Sequence, residues 1–146
     1  MSSTVKQHHV TCTSEEETKE VGCQLGKIAT SGTVVSLRGP LGAGKTIIAK
    51  GIAEALGITE AIVSPTFTLV QEYEGRLPMH HLDLYRIDGI EDFEGIGGEE
   101  LLYSAGITVI EWSEKIEELL PSETIRVTLQ IQKDGKREIL VEGTVL

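Results

Sequence analysis

GPLGAGKT, residues 39–46, matches the phosphate-binding pattern G-x-x-x-x-G-K-[ST] and decides the fold of this chain. The β-branched run at residues 33–37 predicts a buried strand before it, and apolar residues at helical spacing over 47–56 predict a helix after it. Successive backbone N–H groups of such a loop point into one concavity at the positive end of the helix dipole. The segment therefore predicts a loop that holds the phosphates of a nucleoside triphosphate. The alternative is an accidental glycine-rich turn.

Two side chains at the end of the loop are expected to bind different parts of the ligand. Lys45 is placed to reach the β- and γ-phosphates, and the Thr46 hydroxyl is a ligand for Mg²⁺. Because hydrolysis also needs acidic groups near the metal and the attacking nucleophile, carboxylates elsewhere in the chain have to complete the site.

Length and composition favour one compact domain over residues 1–146, with residues 1–13 as a short strand or flexible segment. No apolar run reaches the roughly 18 residues that a membrane helix requires. The N-terminus lacks the apolar stretch of a signal peptide, so a cytoplasmic protein without membrane contact is expected. Cys12 and Cys23 have no metal-ligand spacing and are interpreted as reduced thiols.

The net charge of −10 argues against the broad basic surface used in nonspecific nucleic-acid binding. If RNA is involved, another subunit is expected to hold it.

The remaining elements are predicted from periodicity and turn signals. Ser14 and Glu17 resemble a capping box and predict a helix over residues 15–29, whose Gly22 and Gly26 are expected to pack closely against the sheet. Residues 107–110 predict a second buried strand, followed by a short helix that stops at Pro121.

Two hairpins are also predicted. Alternation over residues 66–73 and 79–85 flanks a turn at 74–76, and the strands 125–131 and 138–141 flank a turn at Asp134-Gly135. Loop and short helical material fills residues 89–103. Strands alternating with helices predict an α/β, three-layer, P-loop NTPase-like domain with a mixed β-sheet flanked by helices and two β-hairpins.

Two acidic residues are candidate partners of the phosphate loop. Glu111 directly follows an apolar strand, as a Walker-B carboxylate does; the alternative is an exposed glutamate that opens a helix. Asp83 shares a strand face with His81 and Tyr85; the alternative is a solvated edge-strand residue.

Two further candidates are less specific. Thr66, in the segment 64–67, can place its hydroxyl or backbone on Mg²⁺ or the γ-phosphate, but the segment also fits a plain Ser-Pro turn. Trp112 is the only tryptophan and can pack near the nucleotide, although a lone tryptophan is more often core.

Four motifs together resemble the bacterial TsaE family, the small ATPase component of the system that makes threonylcarbamoyladenosine beside the anticodon of certain tRNAs. GPLGAGKT (39–46), SPTFTLV (64–70), HLDLYR (81–86) and VIEW (109–112) occur in the order and spacing of that family. The resemblance covers almost the whole chain and strengthens the candidacy of Thr66, Asp83 and Glu111. Pro40 and Ile47 depart from the usual form of the loop.

The resemblance implies a set of site residues. For catalysis these are Lys45, Thr66, Asp83 and Glu111, and for Mg²⁺ they are Thr46, Asp83 and Glu111. For ATP they are Glu15, Gly42, Ala43, Gly44, Lys45, Thr46, Trp112, Gly135 and Lys136, with the base near Glu15 and the Gly135-Lys136 turn. Which of the two acids acts through the metal and which orients water stays open.

The implied function is a Mg²⁺-dependent ATPase, a monomer or weak oligomer when alone, coupled to the larger subunits of the tRNA threonylcarbamoyl-transfer complex and to tRNA only indirectly. It is expected to be slow without partners, because Arg86 or a partner's residue would have to stabilise the transition-state charge. A guanine-reading N-K-x-D segment is missing from the sequence, which favours ATP. The alternatives are a small-molecule P-loop kinase and a nucleotide-dependent adaptor with negligible hydrolysis.

Overall fold

A seven-stranded sheet forms the centre of the fold in the computed structural model, which describes residues 6–63, 69–144 and 146. The order of the strands across the sheet is β1-β7-β6-β2-β5-β4-β3. The strands are β1 Gln7–Cys12, β2 Val34–Arg38, β3 Val70–Tyr73, β4 Met79–Asp83, β5 Ile107–Glu111, β6 Ile125–Ile131 and β7 Arg137–Glu142. The helices are α1 Glu15–Ile28, α2 Lys45–Ala55, α3 Ile90–Gly95, α4 Gly98–Leu102 and a 3₁₀ helix Ser113–Leu119.

The sheet is mixed, as predicted. Strands β6, β2, β5 and β4 run parallel to their neighbours in the middle, and the pairs β3–β4, β6–β7 and β1–β7 are antiparallel. Parallel strands end at one edge of a sheet, and this edge is where the residues after β2 form the phosphate loop. In register, Glu111 of β5 lies beside both Leu37 of β2 and Asp83 of β4.

Helices cover both faces of the sheet and confirm the three-layer architecture. One core joins α1 and α2 to β2 side chains such as Val35 and Leu37. The other core joins Val34 of the same strand to Phe93 and to Ile116 of the 3₁₀ helix. Because side chains alternate along a strand, the buried apolar residues of β2 supply both cores.

The first helix begins as predicted. The Ser14 hydroxyl accepts a hydrogen bond from the Glu17 N–H at 3.1 Å, and the helix ends at Ile28, one residue before the predicted end. Glu17 does not close a reciprocal capping box on Ser14. Its carboxylate instead accepts from the Thr13 N–H at 2.6 Å and from the Thr13 hydroxyl, and these bonds lower the Glu17 pKa.

The prediction that the glycines of α1 pack against the sheet was wrong. Gly22 and Gly26 pack against α2 rather than against the sheet: a Cβ on Gly22 would lie 2.2 Å from Ile48 O, and one on Gly26 would lie 2.7 Å from Ile52 O. Gly51 of α2 is equally crowded, because its Cβ would lie 2.1 Å from Lys19 O. Three glycines therefore let the two helix backbones approach each other.

Other boundaries shift by a few residues. Helix α2 begins at Lys45 rather than at residue 47, so the lysine belongs to the helix as well as to the loop. Strand β4 ends at Asp83, and Tyr85, predicted to continue it, is exposed beyond its end. Residues 64–68, including the predicted start of the hairpin and Thr66, lie outside the described residues. Within the described ranges, none of the helices has the length and apolar character needed to cross a membrane.

Candidate nucleotide-binding site

The phosphate loop depends on glycines at three positions. Gly39, Gly42 and Gly44 have φ of +149°, +81° and +113°, in the region that favours glycine. A Cβ on Gly39 would also lie 2.6 Å from Leu129 O, since the loop passes close to β6. Gly44 is the N-cap of α2 and supplies no side chain to the first amides of the helix. The loop therefore presents main-chain donors at the positive end of α2.

Lys45 extends back over its own loop. Its ammonium group donates to the carbonyls of Gly39 at 2.5 Å and Pro40 at 3.3 Å, and it lies 4.1 Å from the centre of the Trp112 ring. The residue is only 5% exposed. Burial lowers the Lys45 pKa, an effect that the nearby carboxylates, Glu111 first among them, partly oppose.

Glu111 contacts both the end of the phosphate loop and the neighbouring strand β4. Its Oε2 accepts from the Thr46 hydroxyl at 3.4 Å and lies 2.7 Å from Nε2 of His81. Glu111 is 4% exposed, so it is not the exposed helix-opening residue of the alternative interpretation. The contact with Thr46 brings an acidic oxygen next to the residue expected to bind the metal.

Asp83 lies directly beside Glu111 in the register of β4 and β5. It is 4% exposed, and β3 covers the outer side of its strand, so it is not a solvated edge residue. Its Oδ1 accepts from the Tyr85 N–H at 2.9 Å, which turns the chain at the end of β4. Two buried carboxylates thus stand side by side near Lys45.

Two neighbouring cavities open on the two sides of the phosphate loop. The first, of about 390 Å³, is lined by Leu41, Lys45, Thr46, Asp83, Tyr85, Glu111 and Trp112, among others. The second, of about 220 Å³, is lined by Cys12, Thr13, Ser14, Thr18, Ala43, Gly135 and Arg137, among others. Glu15, Gly42, Gly44 and Ile47 contribute to both, so the cavities adjoin across the start of α1 and the loop.

Most of the predicted site residues meet at these cavities. Lys136 does not: it belongs to neither lining, and its ammonium group lies 3.6 Å from Asp134 Oδ2. Thr66 lies outside the described residues. Ile47, noted in the sequence as a departure from the usual loop, places an apolar side chain where both cavities meet.

Trp112 lies at the rim of the first cavity in a left-handed backbone conformation, with φ of +61°. Its ring centre is 5.1 Å from that of Tyr85, and it also packs against the core on the side of the 3₁₀ helix. The structure thus shows Trp112 packed against the core, and its packing near a nucleotide stays a prediction. Nearby, the Lys115 ammonium group donates to the carbonyls of Tyr85 at 2.6 Å and Ile87 at 2.7 Å, which ties the end of HLDLYR to the 3₁₀ helix.

Arg137 was missed in the sequence. Its guanidinium group donates to the carbonyls of Gly42 at 3.1 Å and Gly135 at 2.6 Å and so joins the turn between β6 and β7 to the phosphate loop. The sequence could have pointed to Arg137 through its position two residues after Gly135, in a turn that the family resemblance already placed near the nucleotide.

Known proteins resemble this chain over most of its length. A sequence model of the family described as threonylcarbamoyl adenosine biosynthesis protein TsaE matches residues 12–139. A tRNA threonylcarbamoyladenosine biosynthesis protein TsaE from Treponema pallidum is 46% identical over 128 residues, covering 88% of this chain and 95% of that protein. Its counterpart from Bacillus subtilis is 42% identical over 125 residues, covering 85% and 78%.

A solved structure agrees with these sequence matches. The crystal structure of Bacillus subtilis YdiB superposes with a TM-score of 0.80 at 37% identity, covering 97% of this chain and 88% of that one.

Proposed function

This chain belongs to the TsaE family, and we propose that it is a Mg²⁺-dependent ATPase that serves threonylcarbamoyladenosine biosynthesis in tRNA. The observation that carries the proposal is the meeting of Lys45, Thr46, Asp83 and Glu111 at one cavity beside a glycine loop. The biosynthetic role is that of the similar proteins, and the residues of the site supply the chemistry.

The phosphate loop would bind the triphosphate through main-chain amides between Gly42 and Thr46. Lys45 now satisfies its ammonium group on two loop carbonyls, and phosphate oxygens would replace those neutral acceptors with charged ones. Because the group is nearly buried, its attraction to a phosphate is less screened than at a surface. Lys45 would therefore be a large contributor to nucleotide affinity.

The oxygen ligands at the loop fit Mg²⁺. Thr46 and Glu111 are in contact and are the residues that would hold the ion. Among the described residues, no group of three or more His, Cys, Asp or Glu side chains could hold a metal alone. This agrees with Mg²⁺ chemistry, because that ion is usually bound by one or two carboxylates together with substrate phosphates. When bound, Mg²⁺ neutralises charge that develops on the phosphate oxygens.

Asp83 would then be the acid that orients the attacking water. It lies one strand away from the Thr46–Glu111 contact but lines the same cavity. A hydrogen bond from water to its carboxylate would fix the direction of attack on the γ-phosphate. This assigns the metal side to Glu111 and the water side to Asp83.

The second cavity would hold the nucleoside. Its walls come from the start of α1 and from the turn between β6 and β7, where the family resemblance expects the base. Arg137 keeps that turn against Gly42, so the nucleoside wall and the phosphate loop have a defined spacing.

Hydrolysis would be coupled to larger partner subunits that carry out the transfer to tRNA. The net charge of −10 gives this chain no general attraction for tRNA, so contact with RNA would be indirect. A partner that supplies a cationic group to the γ-phosphate would accelerate a slow basal reaction.

The experiment that tests the proposal is reconstitution of tRNA modification with the cognate partners and Mg²⁺·ATP. Lys45→Ala and Glu111→Gln should each prevent multiple turnovers, whereas Lys136→Ala, a cation outside both cavities, should sustain them. If both site variants supported modification as well as the unmutated protein, the coupling would be refuted. In the same mixture, inorganic phosphate should form without a phosphorylated small molecule, and such a product would instead indicate a kinase.

A further inference from the structure

His81 is a buried polar side chain that the proposed mechanism does not use. It lies on β4 between His80 and Leu82, is 0% exposed, and is in register with Val109 of β5 and Gln71 of β3. Its Nε2 lies 2.7 Å from Glu111 Oε2, and its Nδ1 has no hydrogen-bond partner among the residues that the structure describes. A buried polar atom without a partner costs on the order of 1–3 kcal/mol, so packing alone does not favour an imidazole here.

The contact with Glu111 defines the role of the ring. A carboxylate oxygen can only accept, so Nε2 carries the hydrogen and donates it. In the described part of the chain, both hydrogen bonds to the Glu111 side chain end on Oε2, one from His81 and one from Thr46. Oε1 is thereby left for another ligand.

We propose that His81 is a positioning residue that holds Glu111 in the orientation in which its free oxygen faces the metal. Glu111 is the last residue of β5, and its side chain contacts the Thr46 hydroxyl next to the phosphate loop. A short hydrogen bond from a rigid, fully buried ring fixes that carboxylate more firmly than the longer contact from Thr46. The inference rests on the proposed function, because positioning of Glu111 by His81 matters only if Glu111 binds Mg²⁺.

The position of the donor can be tested with two amide substitutions. The side-chain nitrogen of Gln can occupy the place of Nε2, whereas that of Asn is one bond too short to reach Glu111. Both substitutions remove the ring and both bury an amide, so they differ chiefly in reach. His80→Asn is the matched control, since His80 lies on the opposite face of β4 with Nε2 3.2 Å from Ala105 O.

The measurement is calorimetric binding of a nonhydrolysable ATP analogue, titrated with and without Mg²⁺. Residues that hydrogen-bond to metal ligands typically contribute 10–100-fold to metal affinity or activity. His81→Asn should therefore raise the Mg²⁺ concentration needed for half-maximal enhancement of analogue binding by about 10-fold or more. Binding without Mg²⁺ should be unchanged, which also verifies that the variant is folded. His81→Gln and His80→Asn should stay close to the unmutated protein.

Hydrolysis gives a second readout. His81→Asn should lower kcat at fixed Mg²⁺ while the KM for ATP at saturating Mg²⁺ changes little. The inference is overturned if Asn and Gln at position 81 behave alike, or if Asn leaves the Mg²⁺ requirement unchanged. Glu111→Gln, measured beside them, separates the two ideas: if that variant also keeps its Mg²⁺ requirement, the metal role of Glu111 in the proposed function fails as well.

Discussion

Single residues explain how a chain with an excess of acidic groups can hold a triphosphate. Lys45, buried beside two carboxylates, provides a local positive charge, and the loop amides add donors without adding net charge. The same carboxylates are part of the proposed chemistry. The repulsion that they would exert on phosphates is the physical reason why, in the proposed function, a divalent cation would accompany the nucleotide.

The two acids can be separated by their effect on binding. Glu111→Gln should weaken the Mg²⁺-dependent part of ATP-analogue binding, because a neutral amide attracts the cation less than a carboxylate does. Asp83→Asn should leave that binding intact and lower single-turnover hydrolysis by roughly 100-fold or more, as expected for a lost proton acceptor. Calorimetry and rapid-quench measurement of phosphate check the two results. The opposite pattern would exchange the roles.

Arg137 should matter for nucleotide affinity although it is far from the phosphate loop in sequence. Arg137→Ala removes two hydrogen bonds that join Gly135 to Gly42 and should raise the Kd for ATP by several-fold. Lys136→Ala is the control, because its ammonium group pairs with Asp134 and lies outside both cavities. Equal effects of the two substitutions in a binding titration would mean that only the charge of the turn matters.

At the scale of elements, the close pairing of α1 with α2 leaves no room for an added side chain at its glycines. Gly22→Ala places a Cβ 2.2 Å from a backbone oxygen, which a side-chain rotation cannot relieve. Overpacking of this kind typically costs about 1–3 kcal/mol, and the loss should appear as a lower midpoint in urea unfolding. Because α2 carries Lys45 and Thr46, ATP binding should weaken as well.

Gly95→Ala is the matched control for that substitution. Gly95 lies at the end of α3, without a positive φ and with open space where an added Cβ would lie. Alanine there should leave stability unchanged or raise it by roughly 0.4–1 kcal/mol, since it restricts the unfolded chain. If Gly22→Ala unfolded at the same urea concentration as Gly95→Ala, the close approach of the two helices would be wrong.

For the whole molecule, ligand binding should increase the stability of the folded state. A ligand at 100 times its Kd stabilises the folded state by about 2.7 kcal/mol, so Mg²⁺·ATP should raise the Tm by several degrees in a thermal scan. Removing Mg²⁺ with a chelator should reduce that rise. Lys45→Ala at the same ATP concentration should show little rise, and an undiminished shift would argue against the phosphate loop as the binding site.

The charge of the whole molecule gives a further expectation. With 23 acidic and 13 basic side chains, the chain alone should not retain tRNA at physiological salt, because binding that releases counterions requires a basic surface. A filter-binding assay with and without the partner subunits tests this. Retention by the isolated chain would contradict the proposed indirect contact.

Local pattern predicted much of the fold correctly. Strand β2, the phosphate loop and α2 were recognised because glycines, a lysine and apolar spacing act over a few residues, as does the Ser14 cap of α1. The error in the packing of α1 has a physical origin. Gly22 was assigned a sheet partner because the sequence shows that a close contact is needed but not which element makes it.

The sequence by itself determined that a strand, a glycine loop and a helix follow one another in the pattern of a phosphate-binding loop, since these features depend on backbone conformation and neighbouring side chains. Only the tertiary structure decided that β4 lies beside β5, which brings Asp83 and His81 to Glu111, and that Arg137 reaches Gly42. These contacts join segments distant in the chain. Strand order and register determine them, and local propensity carries no information about either.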